Sequence, residues 1–136
     1  MDEESKTTIK IVGKSLYGGK SLHCQSHGEG FMTVIKHKFG ENGFYILDEP
    51  EAALSSMRLL SLMAVIIDLT KKGSQFIIST HSPILMGFPG AQILQLSENR
   101  IEEVEYESTD HYLITQQFLE NPQIMFKYLF EENRDL

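Results

Sequence analysis

Two short stretches of uninterrupted apolar residues constrain the fold of this chain more than any other feature. Gly43–Leu47 (GFYIL) ends abruptly at the polar run Asp48–Pro50, and Gln75–Ser79 (QFIIS) ends at Thr80–Ser82. Continuous rather than alternating hydrophobicity is typical of parallel strands buried on both faces. Between them, Glu51–Lys71 carries apolar residues around most of its circumference, which predicts a long, sandwiched helix. Strand, helix and strand form a βαβ unit, whose crossover is almost always right-handed.

The rest of the sequence predicts elements that flank this unit. The run GEGFMTVIKHKF begins at Gly28 and has apolar residues at helical spacing, with Gly40 as its stop. Ser82 followed by Pro83 suits the start of a helix. The predicted fold class is α/β, with a parallel sheet core (strands near 43–47 and 75–79), flanking helices, and a C-terminal β-hairpin and helices. The C-terminal part contains two strands, at Gln92–Leu96 and Arg100–Tyr106, and two helices, one opening at Thr109 or Asp110 and one after Asn121–Pro122.

The first 16 residues are expected to be disordered or irregular, although Thr8–Val12 (TIKIV) is a candidate short strand. Residues 17–136 are expected to form one domain, because the whole chain of 136 residues has room for one domain and not two.

Composition narrows the classes of function. The net charge of −7 argues against a nucleic-acid site, which needs clustered Lys and Arg to neutralise phosphates. Cys24 is the only cysteine, so a disulfide within the chain is excluded and a reducing compartment is expected. No stretch approaches the ~20 apolar residues of a membrane helix. The N-terminal sequence MDEESKTT is unlike a signal peptide. The expected location is cytoplasmic.

Titratable side chains follow both buried strands. Asp48 and Glu49 end the first strand and His81 follows the second, and ligands of open α/β sheets bind beyond the carboxyl ends of parallel strands. Two adjacent carboxylates there either hold a cation or do acid–base work, or else they cap the helix that begins after Pro50. His81 likewise is either a functional residue or a satisfied core or capping histidine.

Three motifs in this order resemble the ABC ATPase superfamily. The run FYILDEPEAALS, Phe44 to Ser55, resembles its Walker B strand and D-loop, and FIISTHSP resembles its switch-histidine strand. Upstream, QSHGE resembles the signature motif at the start of a helix. The chain therefore resembles the C-terminal half of an ABC-type P-loop ATPase domain, close to the RecF and SMC branch and to small stand-alone bacterial ATPases. The resemblance covers residues 17–130, and residues 17–136 are interpreted as the C-terminal part of such a domain.

The resemblance implies roles for individual residues and the cofactors ATP and Mg²⁺. Asp48 would hold Mg²⁺, Glu49 would be the general base for the attacking water, and His81 would sense the γ-phosphate. Two motifs would act across a dimer interface. They are the signature residues Ser26, His27, Gly28 and Glu29, facing the nucleotide of a partner subunit, and the D-loop residues Ala53, Leu54 and Ser55. Two positions depart from the family pattern: His27 replaces a signature glycine, and Ser55 replaces the usual D-loop Asp.

The phosphate-binding loop of such an enzyme is not recognisable in this sequence. GKSLYGGKS resembles the pattern G-x-x-x-x-G-K-[ST], but five residues before Gly19 stands Lys14, and Gly13 is one residue too early. The loop also lies next to the signature, whereas the family places the Walker A loop well before it. The chain alone is therefore expected to be inactive and to need a P-loop-bearing N-terminal half, or a homodimer.

Two other hypotheses remain. One is a non-enzymatic dimerisation or interaction module derived from an ABC ATPase. The other is an autonomous enzyme that uses GKSLYGGKS through Lys20. Transport, DNA repair and toxin–antitoxin or phage-defence roles share these motifs.

Overall fold

A computed structural model describes residues 9–12 and 28–132 of the chain, with the side chains of most of them. The predicted irregular segment before Ile9, the GKSLYGGKS loop and Cys24 lie outside the described residues. The chain divides into two compact units, one ending at Val104 and the other beginning at Glu105.

The first unit is an α/β structure, in agreement with the predicted fold class. Its elements follow one another as β1 (Ile9–Val12), α1 (Gly28–Lys38), β2 (Phe44–Asp48), a 3₁₀ turn (Pro50–Ala53), α2 (Ser56–Lys71), β3 (Gln75–Ser79), α3 (Pro83–Met86), β4 (Gln92–Leu96) and β5 (Ile101–Val104).

The five strands form one sheet in the order β2-β3-β1-β4-β5. The first four are parallel, and β5 pairs with β4 in an antiparallel hairpin. The predicted strands near 43–47 and 75–79 are direct neighbours, β2 and β3. The parallel core and the C-terminal hairpin are therefore confirmed. The candidate strand TIKIV is confirmed as β1, which occupies the centre of the sheet.

One face of the sheet forms the core. Ile9, Phe76, Ile78 and Ile93 lie on it by strand register and are at most 4% exposed. Phe39, just after α1, places its ring 4.3 Å from that of Tyr45 and 5.8 Å from that of Phe76. The helix α2 contacts β3, α1 and α3, and buries a single stripe against this core. The stripe consists of Leu59, Leu62, Ile66 and Leu69.

The opposite face of β2 is open, so the prediction that this strand is buried on both faces is wrong. Phe44 is 59% exposed and Ile46 is 69% exposed, and β2 is an edge strand. An uninterrupted apolar sequence shows that both faces of a strand are suited to burial, but it does not show that both are covered. Here the described helices that contact the sheet cover only its other face.

The prediction of a sandwiched helix that begins at Glu51 is wrong in two respects. The helix is buried on one side only, and it begins later in the sequence. Met57 is 72% exposed and Leu60 is 50% exposed, so only one side of α2 is buried. The helix begins at Ser56 because Ser55, in extended conformation, accepts a hydrogen bond from the Arg58 amide and caps it. The residues before the cap form the separate 3₁₀ turn.

The second unit contains a 3₁₀ turn (Tyr106–Ser108) and two helices, α4 (Asp110–Glu120) and α5 (Pro122–Glu132). Both helices were predicted. Thr109 caps α4 by accepting a hydrogen bond from the Tyr112 amide, and burial raises the pKa of Tyr106. Within the described residues, no helix is long and apolar enough to cross a membrane.

Candidate functional site

The paired strands β2 and β3 end together and bring the predicted residues to one edge of the sheet. Asp48 lies opposite Ser79 in register, and the Glu49 amide donates a 2.8 Å hydrogen bond to the Ser79 carbonyl oxygen. His81 follows two residues later. Asp48, Glu49 and His81 thus stand at the carboxyl edge of the parallel sheet, where ligands of such sheets bind.

Glu49 and His81 meet through their side chains. Glu49 Oε1 lies 3.5 Å from His81 Nε2, and the two side chains are 39% and 51% exposed. A carboxylate and an imidazole at this distance form an ion pair when the imidazole is protonated. Glu49 makes no capping hydrogen bond to the 3₁₀ turn that follows it, so its carboxylate does not act as a helix cap.

The backbone of Glu49 is strained. Its φ of 46° and ψ of 53° place it in the left-handed region, which a residue with a Cβ adopts only at a cost. Residues held in such conformations cluster at active sites and ligand clamps. The sharp turn directs the chain from the buried strand β2 into the 3₁₀ turn while leaving the Glu49 carboxylate beside His81.

Glu51, which the sequence interpretation placed only in the turn, connects the two strand ends. Its Oε1 accepts hydrogen bonds from the Thr80 hydroxyl at 2.6 Å and from the His81 amide at 2.9 Å. Thr80 is fully buried and its Oγ1 also accepts a hydrogen bond from the Ser82 amide. Glu51 therefore fixes the backbone that carries His81. The sequence offered one signal for this role of Glu51. It is the third acidic residue of the run DEPE after β2, and the hydroxyl residue Thr80 directly follows the neighbouring strand β3.

Buried oxygens without partners cluster at the same edge. Among the described side chains, three buried oxygen atoms have no hydrogen-bond partner: Asp48 Oδ1, Glu51 Oε2 and Ser79 Oγ. Buried polar atoms are nearly always hydrogen-bonded, so these three oxygens are available to a ligand, an ion or water at this edge.

The chemistry of Asp48 fits the Mg²⁺ that the resemblance implies. Mg²⁺ is usually bound by one or two carboxylates, with substrate phosphates and water as the other ligands. Asp48 Oδ1 is an unpartnered carboxylate oxygen of this kind. No group of three or more His, Cys, Asp and Glu side chains that could hold a metal ion is found in the described part of the chain.

The other predicted site residues are those of the D-loop and the signature, and the structure describes only some of them. At the predicted D-loop positions, Ala53 ends the 3₁₀ turn, Leu54 is extended and Ser55 caps α2. Of the four predicted signature residues, Ser26 and His27 lie outside the described residues. Gly28 and Glu29 are the first residues of α1, so these two stand at the start of a helix.

Two comparisons with known proteins bear on this site. A family model described as "AAA domain, putative AbiEii toxin, Type IV TA system" matches residues 28–87, from α1 to just past α3. The chain is also 28% identical over 102 residues to the energy-coupling factor transporter ATP-binding protein EcfA of Methanocaldococcus jannaschii. That alignment covers 74% of this chain and 37% of EcfA, so the chain spans well under half the length of this relative.

The fold, the site and the two matches agree on a class of protein. The two matches support the interpretation of this chain as a fragment of an ABC/AAA-type P-loop ATPase domain, which the three sequence motifs indicated.

Proposed function

We propose that this chain supplies the hydrolytic half of an ABC-type ATPase site, and that the P-loop comes from polypeptide outside these 136 residues. The proposal rests mainly on the Glu49–His81 pair, 3.5 Å apart at the carboxyl edge of the sheet beside the orphaned Asp48 Oδ1. The likeness to EcfA, described as an ATP-binding protein, supports a nucleotide as the ligand.

In this proposal each residue of the edge has one task. Glu49 accepts a proton from the water that attacks the γ-phosphate, and its strained backbone holds the carboxylate at the end of β2. His81, fixed by Glu51, donates a hydrogen bond to the γ-phosphate. Asp48 holds Mg²⁺, which when bound neutralises charge on the β- and γ-phosphates.

The other motifs are proposed to act between two assembled domains. Ser26, His27, Gly28 and Glu29 face the nucleotide of the opposite domain, where the N-terminus of α1 suits a phosphate. Ala53, Leu54 and Ser55 form the D-loop at the interface. Positioning and charge stabilisation dominate phosphoryl transfer, so the edge residues have no substrate to act on until a P-loop holds the nucleotide.

Calorimetric titration of the chain with MgATP tests the first part of the proposal. The chain alone is expected to show no binding, and a mixture with a P-loop-bearing N-terminal half is expected to hydrolyse ATP. Glu49→Gln should abolish hydrolysis in that mixture while nucleotide still binds. Equal hydrolysis by wild type and Glu49→Gln would overturn the proposal. Tight MgATP binding by the chain alone, lost in Lys20→Ala, would support an autonomous enzyme instead.

A non-enzymatic interaction module is the second candidate. The exposed apolar side chains of Phe44 and Ile46 favour it, since exposed apolar patches mark interaction surfaces. This module would bind a partner with the same affinity whether or not MgATP is present.

A further inference from the structure

The helices α4 and α5 of the second unit contact each other but leave most of their apolar side chains exposed. The rings of Phe118 and Phe126 lie 6.0 Å apart, yet Phe126 is still 48% exposed. Among the described residues of this unit, six further large apolar or aromatic side chains are at least half exposed: Ile114, Leu119, Ile124, Tyr128, Leu129 and Phe130. We call these six residues the hairpin surface.

The sequence of α5 explains this exposure. Gln123, Lys127 and Glu131 are spaced four residues apart, so they form one narrow polar stripe along the helix. Every residue between these three positions is apolar or aromatic. A helix that is apolar nearly all round is normally buried, and α4 can cover only one side of it. Exposed apolar surface of this kind marks a site of interaction.

The charge of the second unit restricts what can cover the hairpin surface. Residues 105–136 contain seven acidic and two basic residues, so they carry −5 of the net charge of −7. On the two helices, Glu120 and Glu131 are exposed. A second copy would bring the same −5 to the contact, and like charges brought together oppose association. The anionic surface of a membrane would repel the unit for the same reason.

A basic amphipathic helix meets both requirements. Its apolar side would remove the hairpin surface from water, and its Lys and Arg side chains would lie beside the acidic residues of this unit. An apolar surface that receives the apolar face of a helix is a recurrent mode of peptide recognition. We propose that the hairpin of α4 and α5 binds a basic amphipathic helix of a partner protein. This inference goes beyond the proposed function, since it uses none of the residues at the sheet edge.

The test uses the whole chain and a model peptide. The probe is a fluorescent peptide of leucine and lysine, about 18 residues long, with leucine on one side of the helix and lysine on the other. Fluorescence anisotropy measures its binding to wild type. Binding is expected, and it should weaken as salt is raised because salt screens the attraction between lysine and carboxylate. A peptide with glutamate in place of lysine is the control and is expected not to bind.

Two matched substitutions locate the binding site. Phe130→Lys and Ile46→Lys introduce the same charge at apolar side chains of nearly equal exposure, 68% on α5 and 69% on β2. Phe130→Lys is expected to weaken binding at least about tenfold, because a charged side chain must then be buried. Ile46→Lys is expected to bind like wild type. Leu119→Lys on α4 is a second variant with the same expected effect as Phe130→Lys, and circular dichroism melts establish that the variants remain folded.

A second matched pair tests the role of charge. Glu131 and Glu41 each lie close to a lysine, at 3.8 Å from Lys127 and 4.0 Å from Lys72. Glu131→Gln is expected to weaken binding of the leucine–lysine peptide by about threefold at low salt, as an exposed charge pair does. Glu41→Gln, in the first unit, is expected to bind like wild type.

Each of the other outcomes overturns the inference. Absence of wild-type binding does so, as does equal binding of the lysine and glutamate peptides or equal weakening by Phe130→Lys and Ile46→Lys. A wild-type dimer in sedimentation that is lost only in Phe130→Lys shows that a second copy covers the hairpin surface. Binding to phospholipid vesicles that is lost only in Phe130→Lys shows that a membrane covers it.

Discussion

Glu49 combines a strained backbone with an exposed carboxylate beside His81. An L-residue in the left-handed region costs about 1–2 kcal/mol. Strain that persists at a candidate general base is typical of residues selected for function rather than stability.

Replacement of Glu49 by glycine is therefore expected to stabilise the chain. Glycine relieves the left-handed cost but adds about 0.5–1 kcal/mol of backbone entropy in the unfolded state, so a net gain of about 1 kcal/mol over Glu49→Ala is expected. Urea denaturation followed by circular dichroism measures the difference. Glu49→Ala is the control because it removes the carboxylate and keeps the strain. A glycine variant no more stable than the alanine variant would show that the turn is relaxed.

Glu51 stabilises the strand ends through two hydrogen bonds. In Glu51→Ala the fully buried Thr80 hydroxyl and the His81 amide lose their acceptor, and an unsatisfied buried group costs about 1–3 kcal/mol. The free energy of unfolding is expected to fall by about 2 kcal/mol. Glu98→Ala, an exposed carboxylate in the β4–β5 turn, should change it by less than about 0.5 kcal/mol. If the two substitutions lowered the free energy of unfolding equally, Glu51 would not stabilise the strand ends.

At the level of elements, the start of α2 depends on Ser55. The Ser55 hydroxyl accepts the Arg58 amide, and loss of such a cap costs about 1 kcal/mol. Ser55→Ala is expected to lower the free energy of unfolding by about that amount. Ser55→Asp should match wild type, because aspartate is an equally good cap and suits the positive end of a helix.

The same variants bear on the predicted D-loop. The family that the sequence resembles commonly has Asp at this position. Serine and aspartate both cap helices, so serine replaces aspartate here without loss of the cap. If Ser55→Ala were as stable as wild type and Ser55→Asp less stable, the cap would not explain the residue found here.

At the level of the whole molecule, the second unit has little core of its own. Its two helices have 11 residues each, and most of their apolar side chains are exposed, among them Leu119 at 73% and Phe130 at 68%. Isolated helices of this length are marginal in water. A peptide of residues 105–136 is therefore expected to be mainly unfolded by circular dichroism at room temperature. A stably helical peptide, monomeric or associated, would contradict this.

Much of the fold followed from local patterns. The strands β2, β3 and β4, the helix α1 and the caps Ser82 and Thr109 were predicted within a residue or two, because turn residues and apolar runs act over short distances. The start of α2 was missed since an apolar run does not show where a 3₁₀ turn gives way to a helix. Glu51 was missed because its hydrogen bonds reach residues about thirty positions away.

The sequence by itself determined the α/β class, the order of the motifs and the candidates Asp48, Glu49 and His81, because each depends on residues close together in the chain. Only the tertiary structure decided that Glu49 and His81 touch, that Glu51 fixes the strand ends, and that Phe44 and Ile46 are exposed. Those properties depend on which elements become neighbours. The hydrophobicity of a strand indicates which side chains favour burial. The tertiary structure determines which face of the strand is covered by other described elements of this chain.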